Sequence, residues 1–143
     1  MVIKSGAAST MLCINATACC WAILALCILM RGAAAEQPTV VSAKCDSRGM
    51  IPQGSQFWGH LGYLLQLLGD HTPYQSNYHF KTRVGDQDAP AFGEAYCQTS
   101  YPSSKCHACL RGLSSDIWRI CNSALSTRVE YPLCWIRYED SYF

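Results

Sequence analysis

Six cysteines, Cys45, Cys97, Cys106, Cys109, Cys121 and Cys134, are spread through residues 36–143. No other feature restricts the fold of so short a chain as strongly. The densest stretch, "CQTSYPSSKCHAC" from Cys97 to Cys109, is compatible with a metal clip, a redox pair or part of a disulfide framework. The compartment in which the chain folds separates these readings, and the N-terminus bears on that compartment.

Lys4 precedes the apolar run "MLCINATACCWAILALCILM", which carries no charge and is followed by Arg31-Gly32 and Ala33-Ala34-Ala35. A positive start, an apolar stretch and a small-residue site describe a secretory signal peptide. Residues 1–35 are therefore expected to be cleaved, leaving 36–143 as a single domain; an uncleaved membrane anchor is the alternative. Cys13, Cys19, Cys20 and Cys27 would leave with the signal, as would Asn15-Ala16-Thr17, the one glycosylation sequon. An even six cysteines in a small secreted domain imply three disulfides, although sequence spacing does not choose among the pairings. Such bridges typically contribute about 2–4 kcal/mol each, which matters where the core is small.

Charge narrows the function. Without Lys4 and Arg31, the 11 Lys/Arg become nine against ten Asp/Glu, a formal net charge of −1. No basic stripe suited to nucleic acid is present, and the scattered cations do not form a membrane-surface helix.

The periodicity supports an α+β domain. "TVVSAKC" (39–45) is expected as a first strand, followed by a Gly/Pro loop. Phe57, Leu61, Leu64, Leu65 and Leu68 recur at helical spacing, with Ser55 as N-cap and Gly69 as stop. Gly59 and Gly62 are costly inside that helix, which suggests a close packing partner. "YHFKTRV" (78–84) alternates, and "AFGEAYC" (91–97) is a further strand with a small face at Ala91, Gly93, Ala95 and Cys97. That face allows a helix to lie close, or else Gly93 marks a bulge. After Pro102, the residues Cys106, Cys109, Leu113, Ile117 and Cys121 form one helical stripe. "STRVEY" and "LCWIRYED" are expected as two final strands around Pro132, with Trp135, Arg137 and Glu139 facing away from Cys134, Ile136 and Tyr138. The order strand, helix, two strands, helix, two strands predicts two helices packed on one face of an antiparallel sheet.

Chemistry adds little beyond this. Cys106-x-x-Cys109 has no second knuckle to complete a zinc site, and no βαβ unit surrounds it as in redox domains. His60, His71, His79 and His107 occupy no recognised nucleophile setting, so neither an enzyme nor a cofactor is expected.

Cys97-x8-Cys106-x2-Cys109, with "KCDSRGMIPQGSQF", "FGEAYCQ", "CHACL" and "ICNSALSTRVEYPLCWIRYEDSYF", resembles the plant cysteine-rich stress-antifungal domain family, whose type example is ginkbilobin. The resemblance covers essentially all of residues 36–143. It implies two helices on a five-stranded antiparallel sheet, with three disulfides pairing Cys45–Cys121, Cys97–Cys106 and Cys109–Cys134. It also implies a secreted, antifungal, mannose-binding lectin-like protein whose sugar contacts fall on Asp46, Arg128 and Glu139. Asp46 departs from the family's Asn at that position. Arg and carboxylate side chains suit adjacent hydroxyls, one donating and the other accepting. A second carboxylate is expected to compete with the sugar for Arg128, and the plain alternative for Arg128 and Glu139 is a surface ion pair. The expected partners are mannose or mannose-containing fungal glycans. A non-lectin module of the same fold, docking on an extracellular protein, is the rival. The chain ends four residues after Glu139, so a free, monomeric, apoplastic protein is expected.

Overall fold

The computed structural model describes residues 38–143. The expected signal peptide, residues 1–35, lies outside the described residues. The elements run β1 (Ser42–Cys45), α1 (Gln56–His71), a 3-10 turn (Thr72–Tyr74), β2 (His79–Val84), β3 (Ala91–Cys97), α2 (Ser103–Ile120), β4 (Thr127–Glu130) and β5 (Cys134–Glu139). The five strands form one sheet in the order β1-β4-β5-β3-β2, every pair antiparallel. Both helices contact that sheet and each other, giving the expected α+β architecture.

Local chemistry accounts for most boundaries. The Ser55 hydroxyl accepts from the Trp58 backbone N–H and caps α1. The helix does not stop at Gly69 as its sequence suggests. It runs to His71, and Pro73 in the following turn ends it. Gly69 has a different use: it is buried, and a Cβ there would sit 3.4 Å from the Arg111 side chain of α2. β1 is shorter than its β-branched sequence predicts. Its partner β4 has only four residues, so pairing starts where Val41 donates to the Glu130 carbonyl, and Thr39 and Val40 have no strand to join.

The inner face of the sheet is apolar. Ala91, Ala95, Val129, Ile136 and Tyr138 are buried against Leu61, Leu64 and Leu68 of α1 and Leu110, Leu113 and Ile117 of α2. Gly93 is where α1 comes closest. A Cβ there would lie 2.7 Å from Leu64 Cδ2 and 2.9 Å from Leu68 Cδ1. Pairing continues unbroken through Gly93, from Thr82 to Tyr138, so the residue makes room for α1 and not a bulge. Gly59 and Gly62 behave differently from expectation. Nothing lies within 4 Å of a Cβ at either, so no segment of the described chain packs closely there. The helices instead meet through Trp58 and Trp118, whose ring centroids are 4.3 Å apart.

Three disulfides join the layers: Cys45–Cys121, Cys97–Cys106 and Cys109–Cys134. Their sequence separations of 76, 9 and 25 residues correspond, in the chain-entropy model, to about 4.5, 2.6 and 3.5 kcal/mol. The two cysteines of the C-x-x-C motif are thus committed to different strands. Cys106 is tied to the end of β3 and Cys109 to the start of β5, so the motif is a double staple of α2 onto the sheet.

Candidate functional site

The outer face of the sheet has no helix over it among the described residues, and its alternation delivers charged and aromatic side chains to solvent. Cross-strand register arranges them in rows. Lys44, Arg128, Arg137, Glu94 and Lys81 are successive partners across the five strands. Glu130, Trp135, Tyr96 and His79 form the neighbouring row.

Three cations side by side, Lys44, Arg128 and Arg137, would repel one another if left alone. Each guanidinium is held by a carboxylate two residues further along its own strand. Arg128 Nε donates to Glu130 at 2.8 Å, and Arg137 Nε donates to Glu139 at 2.8 Å. Aromatic rings fix them further: the Arg128 guanidinium lies 4.1 Å from the Trp135 ring centre and that of Arg137 3.9 Å from Phe143. Arg128 commits only Nε to a protein acceptor among the described residues, leaving both Nη groups available.

Asp46 sits in the loop after β1, where its N–H donates to the Ser126 carbonyl. Its Oδ1 accepts from the Arg48 backbone N–H at 2.9 Å, and its Oδ2 pairs with the Arg48 guanidinium. Arg48 also reaches Asp140 at 3.0 Å and the Ser126 hydroxyl at 2.9 Å, joining the loop to the ends of β4 and β5. The Asp46 carboxyl is held below its ordinary value, first by the Arg48 backbone N–H and then by the Arg48 side chain. Arg48 is correspondingly pushed up by its two carboxylate partners.

These segments enclose an open cleft of ≈ 470 Å³, lined by Lys44, Cys45, Asp46, Ser126, Thr127, Arg128, Arg137 and Glu139. Asp46, Arg128 and Glu139, the three residues singled out from sequence, therefore share one concavity. They do not pair with one another. Asp46 is bound to Arg48 and so does not compete for Arg128, and the Arg128–Glu139 ion pair is replaced by Arg128–Glu130 and Arg137–Glu139. Sequence reasoning missed Lys44, Arg48 and Arg137 as members of the site or its rim. Strand alternation had placed Arg137 and Glu139 on one face; only cross-strand register adds that Arg137 stands directly opposite Arg128. The histidines are dispersed: His60 on α1 bonds the Ala89 carbonyl, His79 on β2 pairs with Glu94, and His107 on α2 lies near Asp70.

The sequence of residues 44–141 matches the model of the salt stress response/antifungal family. The chain belongs to that family. An antifungal ginkbilobin-like protein 1 from Picea sitchensis is 40% identical over 122 residues, covering 83% of this chain and 90% of the relative. The antifungal protein ginkbilobin-2 of Ginkgo biloba is 40% identical over 111 residues, covering 76% of this chain and 81% of the relative. Among solved structures, the tandem DUF26 ectodomain of the Arabidopsis thaliana cysteine-rich receptor-like protein PDLP8 superposes with a TM-score of 0.67 at 21% identity. That match covers 76% of this chain and 51% of the ectodomain, so the chain spans about half of the tandem. The likeness shows a shared fold. The Picea and Ginkgo relatives are both antifungal proteins by name.

Proposed function

We propose that this chain is a secreted plant defence protein that binds a mannose-type hexose in the cleft of Asp46, Arg128 and Glu139 and acts on fungal surface glycans. The co-location of those three side chains carries the reading. They come from the loop after β1, from β4 and from β5, and they line one concavity. The lining sets Lys44, Arg128 and Arg137 against Asp46 and Glu139, a mosaic of donors and acceptors with little net charge. Such a mosaic suits a neutral polyol better than an ion, because each hydroxyl both donates and accepts. Two of the roughly four lone-pair sites of Asp46 are taken by Arg48, which leaves acceptor capacity for hydroxyls. Arg128 supplies unpaired Nη donors opposite. Asp serves here in place of Asn because Arg48 neutralises it.

The setting fits an extracellular protein. Three disulfides persist in oxidising compartments, and the related solved structure is the ectodomain of a receptor-like protein. The N-terminal residues 1–35 serve as a cleaved signal, and the mature protein works as a monomer in the apoplast. Intact mass of secreted protein, beginning near Glu36, checks the first point.

The test of the site is titration of the mature protein with mannose, followed by NMR. Wild type is expected to show weak saturable binding, with shifts confined to the loop after β1, β4 and β5. Arg128→Ala removes charge-assisted bonds of about 1.5–3 kcal/mol and should abolish detectable binding. Binding that survives Arg128→Ala unchanged would place the sugar elsewhere. A wild type that ignores mannose would favour a protein-docking module of the same fold.

A further inference from the structure

Beside the cleft, on the same outer face, lies a second basin of ≈ 530 Å³ lined by Asn77, His79, Glu94, Tyr96, Thr99 and Trp135. Its floor is aromatic. Trp135 and Tyr96 are stacked with ring centroids 6.1 Å apart and planes 28° from parallel, and His79 leans against both at 6.4 and 6.5 Å. Its walls are polar. Glu94 Oε1 is bound to His79 Nε2 at 2.6 Å, and its other oxygen has no protein partner among the described residues. Asn77 and Thr99 add an amide and a hydroxyl.

None of this serves the core, which lies on the opposite face of the sheet. Two large rings held half-open to water are a contact surface that costs little side-chain entropy to use. A pyranose matches it: one side of the ring presents C–H groups that pack against the parts of Tyr96 and Trp135 left open to water, and its rim presents hydroxyls for a carboxylate, an amide and a hydroxyl. The basin also adjoins the cleft through one contact. Trp135 is the part of the floor nearest the cleft, and the Arg128 guanidinium, which lines the cleft, rests on that same indole. Arg128 and Glu130, Trp135's cross-strand partner, are two residues apart on β4, a step of about 6.8 Å along a strand. That is the scale of one sugar ring.

We propose that this basin is a second saccharide subsite, holding through Trp135, Tyr96 and Glu94 the sugar next to the mannose-type hexose in the cleft. The inference rests on the cleft being a hexose site, and it makes the ligand an oligosaccharide running across β4, β5 and β3. Binding energy is then divided between a polar clamp and an aromatic platform.

The experiment compares methyl α-mannoside with α-linked mannotriose on the mature protein, by NMR titration with the Trp135 indole N–H as reporter. The trisaccharide is expected to bind wild type at least tenfold more tightly and to shift the Trp135 indole, whereas the monosaccharide moves the cleft alone. Tyr96→Ala and Glu94→Gln should each lose most of that gain while keeping the affinity for the monosaccharide. Glu94→Gln preserves size, so a folding defect in Tyr96→Ala would not obscure the result. Monosaccharide binding with no gain for the trisaccharide, or a gain that survives both substitutions, overturns the second subsite and leaves the cleft standing. Trisaccharide shifts at Trp135 without any monosaccharide binding support the basin and overturn the cleft. Silence toward both sugars overturns both.

Discussion

Glu94 and Gly93 are neighbours on β3, yet they belong to two chemically opposite surfaces. Gly93 points inward, where Leu64 and Leu68 leave no room for even a methyl group. Glu94 points outward into the row of charged and aromatic side chains that ends in the cleft. The inner face is specified by volume and stapled by three bridges, so small changes there should be costly. The outer face is specified by pairing geometry in water, where most individual contacts contribute little to stability. One surface holds the fold and the other is free to vary its chemistry, because alternation along each strand separates the two tasks residue by residue.

The sharpest test of this division is the Cys45–Cys121 bridge. It closes the longest loop, and Cys45 directly precedes Asp46 in the wall of the cleft. Replacing both cysteines with alanine should destabilise the domain by about 4–5 kcal/mol in denaturant unfolding. It should also weaken the proposed mannose binding, because the loop carrying Asp46 loses its anchor. An unchanged midpoint would mean that packing alone holds the inner face.

A smaller effect separates the two faces directly. Gly93→Ala should cost about 1–3 kcal/mol, because Leu64 and Leu68 are fully buried and have nowhere to move. Glu94→Gln, one residue on, should change stability by no more than about 0.5 kcal/mol. Chemical denaturation of the two variants side by side decides the matter; equal losses would break the contrast.

Smaller again, and opposite in sign, is Gly62→Ala. With open space around its position and a helical backbone, alanine should stabilise α1 by about 0.5–1 kcal/mol. A loss of stability in thermal melting would reveal a crowding that the structure does not contain.

The slightest effect concerns Asp46. Its carboxyl is held below 3.8, chiefly by the Arg48 backbone N–H, so the folded state takes up the proton less readily than the unfolded chain. The contribution of Asp46 is therefore fully present above about pH 3.8 and is lost as pH falls through the depressed folded value. Wild type and Asp46→Asn should differ most near neutrality and converge in acid, which unfolding at a series of pH values would follow. A difference that grew on acidification would mean that Asp46 is not the group responsible.

Much of the architecture could be read from residue spacing. The helical stripe Cys106, Leu113, Ile117 and the alternation of Cys134, Ile136 and Tyr138 identify the faces that end up buried. The misreadings have a common cause. Gly69 looked like a helix stop and Gly59 and Gly62 looked like packing sites, but a glycine's role depends on what lies opposite it. Arg111 approaches Gly69, Leu64 and Leu68 approach Gly93, and among the described residues nothing approaches Gly59 or Gly62. Thr39 and Val40 are strand-like residues with no strand to pair with among the described residues.

The candidate site divides in the same way. Local sequence, together with the resemblance that its cysteine spacing carries, determined the elements, the inward and outward residues and the disulfide pairing, and it nominated Asp46, Arg128 and Glu139. The tertiary structure alone decided that Arg128 rests on Trp135, that Arg137 stands opposite Arg128, and that Arg48 joins the Asp46 loop to Asp140. Intrastrand periodicity is a property of the backbone and is written in every residue. Which charge meets which depends on register and loop closure, set by contacts between segments as far apart as Arg48 and Asp140, 92 residues along the chain.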